Sequence, residues 1–147
     1  MRRLVFSFIL CALAATCVAR EESVADLKVR VESARPEDRP ELCARIAQMQ
    51  VRAADKLYTE GHIDEARAAV DDVVLYFTKA RDAAIDSKSH LKNVEINARK
   101  ASEKLRDIKR TLAFEDQAPV EQAIQHIEAV RTELLKEMFS NKKKERK

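Results

Sequence analysis

The stretch "LYTEGHIDEARAAV", residues 57–70, contains the only glycine in a chain of 147 residues. Apolar residues at helical spacing precede Gly61, and Ile63 begins a second run of the same kind. A helix that ends at Glu60 favours a left-handed residue directly after its end, and only glycine adopts that conformation without strain. The stretch therefore predicts a tight turn at Gly61 between two antiparallel helices.

The longest apolar pattern in the sequence follows this turn. Steps of three and four residues from Ile63 select fifteen positions, of which all but one are apolar, whereas an apolar content of 46% predicts about seven. The positions are Ile63, Ala66, Val70, Val73, Phe77, Ala80, Ala84, Ser87, Leu91, Val94, Ala98, Ala101, Leu105, Ile108 and Leu112. An unbroken heptad pattern predicts one helix over about 63–113. Its apolar edge exceeds what two shorter neighbours can cover, which favours self-association or the docking of a helical partner.

Helices are also predicted on either side of this central one. Strands would need many turn signals, but the chain has few strong breakers: Pro36, Pro40, Gly61 and Pro119. The flanking segments predict helices at about 40–59, with Asp38 as the N-cap, and at about 119–140, with Pro119 in the first turn. We therefore expect an all-α protein in which antiparallel helical hairpins are built on one long central helix.

The segment "DSKSH", residues 86–90, offers an alternative to that long helix. It contains Ser87, the single polar position of the pattern. A break at 86–90 would give four helices of similar length, an up-down four-helix bundle. No Gly or Pro marks such a break, and the heptad register continues across it, so the continuous helix is the preferred prediction.

The N-terminal sequence "MRRLVFSFILCALAATCVA", residues 1–19, has the order of a secretory signal peptide. Two arginines precede an apolar run shorter than the roughly 20 residues of a membrane-spanning helix, and small residues precede the predicted cleavage after Ala19. We expect export to the periplasm or the extracellular space, with lipid anchoring through Cys17 as the alternative. Residues 20–36 form a leading segment with a short predicted helix, and the helical domain spans 37–140.

The C-terminus differs in charge from the body of the protein. Residues 20–141 carry 21 basic and 24 acidic side chains, whereas the last six residues carry five basic and one acidic. We expect 141–147 to be a disordered basic tail that could attract an anionic envelope surface, such as lipid headgroups or a polymer. The cations of this tail are Lys142, Lys143, Lys144, Arg146 and Lys147. The acidic body argues against a nucleic-acid partner.

The sequence has no recognisable set of catalytic or metal-binding residues. No Glu stands three residues before any of the three histidines, as a di-iron bundle would require, and one glycine cannot form a Gly-rich phosphate loop. Cys43 is the only cysteine after the predicted cleavage. It is interpreted as a half-buried inert thiol or, alternatively, as a thiol that joins two copies in a homodimer. We predict a non-enzymatic protein without metal or cofactor.

Part of the opening stretch resembles a known turn. In residues 57–66, Leu57, Gly61, Ile63 and Ala66 are similar to the turn of a tetratricopeptide repeat, a helix–turn–helix unit, although no second copy follows. The chain as a whole resembles small exported helical proteins of bacteria, and that resemblance implies no activity. The sequence predicts an exported helical scaffold or protein-interaction module that binds itself or another protein. Docking to an anionic envelope surface through the basic tail is the alternative.

Overall fold

The protein is all-α. A computed structural model describes the backbone of residues 22–145 and the side chains up to Asn141. Five helices and no strands lie in this part of the chain, and 88% of its residues are helical. The helices are α1 (Val24–Ser33), α2 (Arg39–Thr59), α3 (Ile63–Ser87), α4 (Leu91–Thr111) and α5 (Phe114–Glu145). The predicted signal peptide, with Cys17, lies outside the described residues.

The turn between α2 and α3 has the predicted geometry. Gly61 has a φ of +80°, in the left-handed region. The His62 amide donates to the Leu57 carbonyl at 2.9 Å, and the Gly61 amide donates to the Tyr58 carbonyl at 3.1 Å. These two hydrogen bonds form a Schellman motif, which satisfies carbonyl groups at the end of α2. The prediction of an antiparallel hairpin at Gly61 is confirmed.

The preferred prediction of one continuous helix over 63–113 is wrong, and the alternative break at 86–90 is correct. Lys88 and His90 both adopt left-handed backbone conformations, with φ of 53° and 56°. The Ser89 hydroxyl donates to the Glu37 carbonyl at 3.0 Å, which attaches the turn to the start of α2. The three residues between α3 and α4 replace nearly one helical turn of 3.6 residues. The apolar pattern therefore resumes in register although the chain reverses.

The second hairpin, α4 and α5, stacks on the first with its helices in parallel pairs. Three side-chain contacts between the hairpins join residues that are 49 positions apart, so α4 runs in the direction of α2, and α5 follows α3. These contacts are Gln48–Asn97, Asp55–Lys104 and Arg67–Asp116. Within the second hairpin, Lys109 contacts Glu121 at 2.7 Å and Glu95 contacts Arg131 at 2.9 Å, as antiparallel helices require.

This stacking buries the apolar pattern inside one chain. Of its fifteen positions, eleven are buried, and the remaining four, Ile63, Ser87, Leu91 and Leu112, are partly covered at helix ends. Phe77 and Leu105 are fully buried. The predicted open apolar edge along 63–112 is therefore absent. Because the chain reverses at 88–90, the apolar residues of α3 and of α4 pack in one core within the same molecule. A second molecule is not needed to cover them.

A polar network at the α4–α5 interface is centred on Glu128. Its carboxylate accepts hydrogen bonds from the buried Ser102 hydroxyl at 2.5 Å, from Arg106 at 2.9 Å and from Arg131 at 2.7 Å. Burial raises the pKa of Glu128, but the hydrogen bonds from Ser102 and Arg106 and the charges of Arg131 and Arg106 outweigh it, so the pKa lies below its ordinary value. The network fixes the two helices in register.

The short helix predicted in the leading segment is α1. Ser23 and Asp26 form a capping box at its start, and Leu27 is its one buried residue. The predicted N-cap of α2, Asp38, makes no side-chain capping hydrogen bond. Its carboxylate instead accepts a hydrogen bond from Arg35 Nε at 2.9 Å, since both residues lie in the turn between α1 and α2.

The last helix is longer at both ends than predicted. It begins at Phe114, so Pro119 is the sixth residue of α5 and lies inside the helix, not in its first turn as predicted. It continues to Glu145, so the predicted disordered tail is helical over residues 141–145, while Arg146 and Lys147 lie outside the described residues. Among the helices between residues 22 and 145, none has the length and apolarity needed to cross a membrane.

Candidate functional site

The predicted site residues lie in three separate places. Gly61 forms the α2–α3 turn. Cys43 lies in α2, below a cleft. The basic run from Lys142 to Lys144 belongs to the last turns of α5. Two regions therefore remain as candidates for binding: the C-terminal end of α5 and the cleft above Cys43.

The C-terminal end of α5 projects beyond the helices that flank it. Glu133 contacts Arg81 at 3.0 Å, and α3 ends six residues after Arg81, so its end lies beside position 139 of the parallel α5. Arg131 contacts Glu95, and α4 begins only four residues before Glu95, so its start lies near position 135. The backbone from about 140 to 145 thus extends past both neighbours.

Phe139 lies where this projection begins. Its side chain is 69% exposed, although Leu134 on the preceding turn is fully buried. Lys142 and Lys143 follow Phe139 by three and four positions in the sequence, within the helical backbone of α5. An exposed aromatic residue beside a basic run combines an apolar contact with positive charge.

The cleft above Cys43, here called the Cys43 cleft, lies between the end of α1, the start of α2 and the C-terminal half of α3. Its volume is about 440 Å³, which lies within the ordinary range for small-ligand sites. Its walls combine apolar groups with charges of both signs. The residues around it include Val31, Glu32, Pro36, Arg39, Cys43, Lys79, Asp82, Ala83 and Asp86.

The two cations of the cleft are held by contacts other than ion pairs. Lys79 Nζ lies 5.1 Å from the centroid of the Tyr76 ring, and Tyr76 is buried against the core. Lys28 of α1 approaches the same ring at 5.3 Å, but its charge is balanced by Asp72 at 3.0 Å. Arg39 Nε donates a hydrogen bond to the Ala34 carbonyl at 3.0 Å. No carboxylate of the described residues forms an ion pair with the terminal nitrogens of Arg39.

The thiol of Cys43 is covered. Its side chain is 2% exposed, and burial raises its pKa, against a smaller opposing effect of the Lys79 and Arg39 charges. A thiolate is the reactive form, so this environment disfavours reaction at neutral pH. Cys43 is more deeply buried than the half-buried position that was predicted, and a disulfide between two copies would require the sulfur to be uncovered first.

Metal-ligating side chains are not grouped in the described part of the chain, where no three His, Cys, Asp or Glu residues could hold a metal ion together. The three histidines lie apart: His62 contacts Glu65 at 3.3 Å, His90 approaches Glu41 at 3.7 Å, and His126 lies 3.2 Å from the Thr78 hydroxyl. Each belongs to a different end or face of the bundle.

Sequence reasoning missed two features of these sites. Phe139 lies in the last predicted helix, and it was not singled out from the sequence. Glu32, Arg39 and Lys79 come from three helices, so only the packing of α1 and α3 on α2 brings them together. A signal for Phe139 was available, since the basic run begins three residues later.

Comparisons with known proteins found no matching family model, no similar curated protein and no similar solved structure. The likeness of residues 57–66 to a tetratricopeptide-repeat turn stays a prediction from a short sequence match.

Proposed function

We propose that this chain is a non-catalytic, exported interaction module that docks on an anionic surface through the C-terminal end of α5. A structural role is supported by several ion pairs of the body that connect one helix to another. Lys104 joins α4 to α2 through Asp55 at 2.7 Å, and Arg67 joins α3 to α5 through Asp116 at 2.7 Å. Charges engaged in this way stabilise the stack and are not available for catalysis.

The exposure of Phe139 carries the proposal. A phenylalanine 69% exposed at the base of a projecting helix is apolar surface that the bundle leaves uncovered. The five cations of the C-terminus follow within eight residues. Near an anionic membrane surface each Lys or Arg contributes about 1 kcal/mol of attraction, and an apolar side chain that enters the headgroup region adds to it. Phe139 and the basic run therefore suit lipid headgroups of negative charge.

Self-association along the apolar pattern, the first interaction mode expected from the sequence, loses its support. The pattern is covered within a single chain, so a dimer would need another surface. A protein partner that offers acidic groups to the α5 end remains the competing proposal for the same element, and the experiment below separates it from lipid binding.

Vesicle flotation tests the proposal. The mature chain should float with vesicles that contain phosphatidylglycerol and not with pure phosphatidylcholine, and added salt should release it because exposed charges are screened. Replacing Lys142, Lys143 and Lys144 together by Gln should abolish flotation, and Phe139→Ala should weaken it. Phe114→Ala is the matched control, since Phe114 is 88% exposed at the opposite end of the same helix.

Three results of these experiments would contradict or revise the proposal that the α5 end binds lipid. Flotation that is unchanged in both the lysine and the Phe139 variants would show that another surface binds the membrane. A chain that never floats, but whose lysine variant loses an acidic protein partner, would replace the lipid by that partner. Equal loss in Phe114→Ala would mean that general apolar exposure, and not the α5 end, drives the association.

A further inference from the structure

The Cys43 cleft differs from the rest of the protein surface in how its charges are used. Glu32, Arg39, Lys79 and Asp86 surround the cleft, and none of them forms an ion pair with another described residue. Elsewhere in the described bundle, charged side chains at helix interfaces are mostly paired. Charges of both signs that converge on one concavity without pairing are available to an external ligand.

A neighbouring groove shows the contrasting arrangement. It lies on the other side of α1, has a volume of about 600 Å³ and is rich in arginine. Each of its three arginines already has a carboxylate partner, because Arg30 and Arg45 share Glu22 and Arg35 contacts Asp38. That groove is larger but has internal partners for its charge, so it is the weaker candidate for a ligand.

The charged side chains of the Cys43 cleft lie around Cys43. Lys79, Arg39 and Glu32 all line the cleft together with Cys43, so the three charged groups face the same concavity. Apolar contact at the cleft comes from Val31, Pro36 and Ala83. Two cations with free donors favour a carboxylate, and free carboxylates close to them favour an ammonium group of the same ligand.

We propose that the Cys43 cleft binds a small zwitterion, namely an amino acid or a short peptide with both termini free. The ligand carboxylate contacts Arg39 and Lys79, its ammonium group contacts Glu32 or Asp86, and its aliphatic part lies against Val31 and Pro36. A purely anionic ligand is disfavoured because the lining has three carboxylates, Asp82 included, against two cations. A purely cationic ligand is disfavoured because it would leave Arg39 and Lys79 without a partner, and because Asp82 is already paired with Arg81 at 2.7 Å.

The site is independent of the proposed docking through α5. It lies on the α1 and α2 side of α3, whereas α5 packs on another side of that helix. The four unpaired charges are all exposed, so replacing one of them leaves the core intact. Failure of ligand binding and failure of membrane docking are therefore separate results.

A titration followed by ¹H–¹⁵N NMR spectroscopy tests the proposal with four dipeptide probes, Ala-Ala, Leu-Ala, Lys-Ala and Glu-Ala. Each is used with free termini and again with an acetylated amine and an amidated carboxylate. Free dipeptides should shift the amides of residues 31–43 and 79–87 in a saturable manner, and the blocked forms should not. Arg39→Gln and Glu32→Gln should each weaken binding about tenfold, which corresponds to about 1.4 kcal/mol.

Lys92→Gln is the matched control, because Lys92 is an exposed lysine of α4 without an ion pair among the described residues. It should bind the probes as the parent does. The proposal is overturned if no free dipeptide shifts the cleft amides, if blocked and free forms shift them equally, or if Arg39→Gln and Glu32→Gln bind as tightly as Lys92→Gln. The spectrum of each variant shows that it is folded before titration.

Discussion

The left-handed turn at Gly61 makes a quantitative prediction for the Gly61→Ala variant. A Cβ atom placed on Gly61 meets no other heavy atom within 4 Å, so the substitution causes no clash and its effect is conformational. A left-handed backbone costs a non-glycine residue about 1–2 kcal/mol, while the lower entropy of alanine in the unfolded chain offsets about 0.4–1 kcal/mol. We expect a net destabilisation of about 1 kcal/mol.

The opposite substitution at the second turn provides the matched test. Lys88 has a φ of 53°, so its backbone carries the same kind of left-handed strain that Gly61→Ala would introduce at position 61. Lys88→Gly removes that strain at position 88. By the same arithmetic it should stabilise the protein by up to about 1 kcal/mol. Urea unfolding followed by circular dichroism measures both free energies. Parent-like stability of Gly61→Ala would refute the turn at Gly61, and a loss of about 1 kcal/mol in Lys88→Gly would refute the left-handed turn at 88–90.

Three further predictions concern the core, the polar network and the thiol. Leu105→Ala should reduce the free energy of unfolding by about 2–5 kcal/mol because Leu105 is fully buried. Leu75→Ala, at a position 45% exposed, should reduce it by no more than about 0.5 kcal/mol. Equal losses in the two variants would contradict the packing. The lowered pKa of Glu128 means that its stabilising contribution is present above its ordinary value of 4.5 and is lost as the pH falls through the folded-state value. Carboxyl NMR should give a midpoint below 4.5, and a midpoint above it would contradict the network. The Cys43 thiol, 2% exposed, should react slowly with a maleimide in native protein and rapidly in urea, whereas immediate native labelling would show that the thiol is not buried.

Local signals in the sequence were sufficient for much of the fold. Gly61 marked the α2–α3 turn because a left-handed C-terminal cap requires glycine. Apolar spacing identified α2 within one residue at its start. These elements depend on residues that are close in sequence, so their prediction needed no knowledge of tertiary packing.

By the same reasoning, a break at 86–90 was only the alternative to the preferred continuous helix. Lys88 and His90 adopt conformations that glycine normally supplies, so the expected signal was missing. The turn is stabilised from a distance, since Ser89 bonds to the carbonyl of Glu37, 52 residues away. A three-residue connection also preserves the heptad spacing, which concealed the reversal of the chain.

The candidate sites were only partly predictable for a related reason. The basic run at Lys142–Lys144 is a compositional feature and was identified directly. The exposure of Phe139 depends on where α3 ends and α4 begins beside α5, which became known only with the break between them. The Cys43 cleft depends on α1 and α3 packing on α2, so a sequence pattern in any one helix cannot reveal it.

A distance between α2 and α4 tests the central claim most directly, namely that the chain reverses at 88–90 and stacks one hairpin on the other. Spin labels can be placed at Asp55→Cys and Lys104→Cys, whose native side chains lie 2.7 Å apart, in a Cys43→Ser background. We predict one short intramolecular distance, set by the label linkers and independent of dilution with unlabelled protein. A continuous helix from Ile63 would instead separate the labels by about 50 Å at 1.5 Å per residue, and that result would contradict the fold.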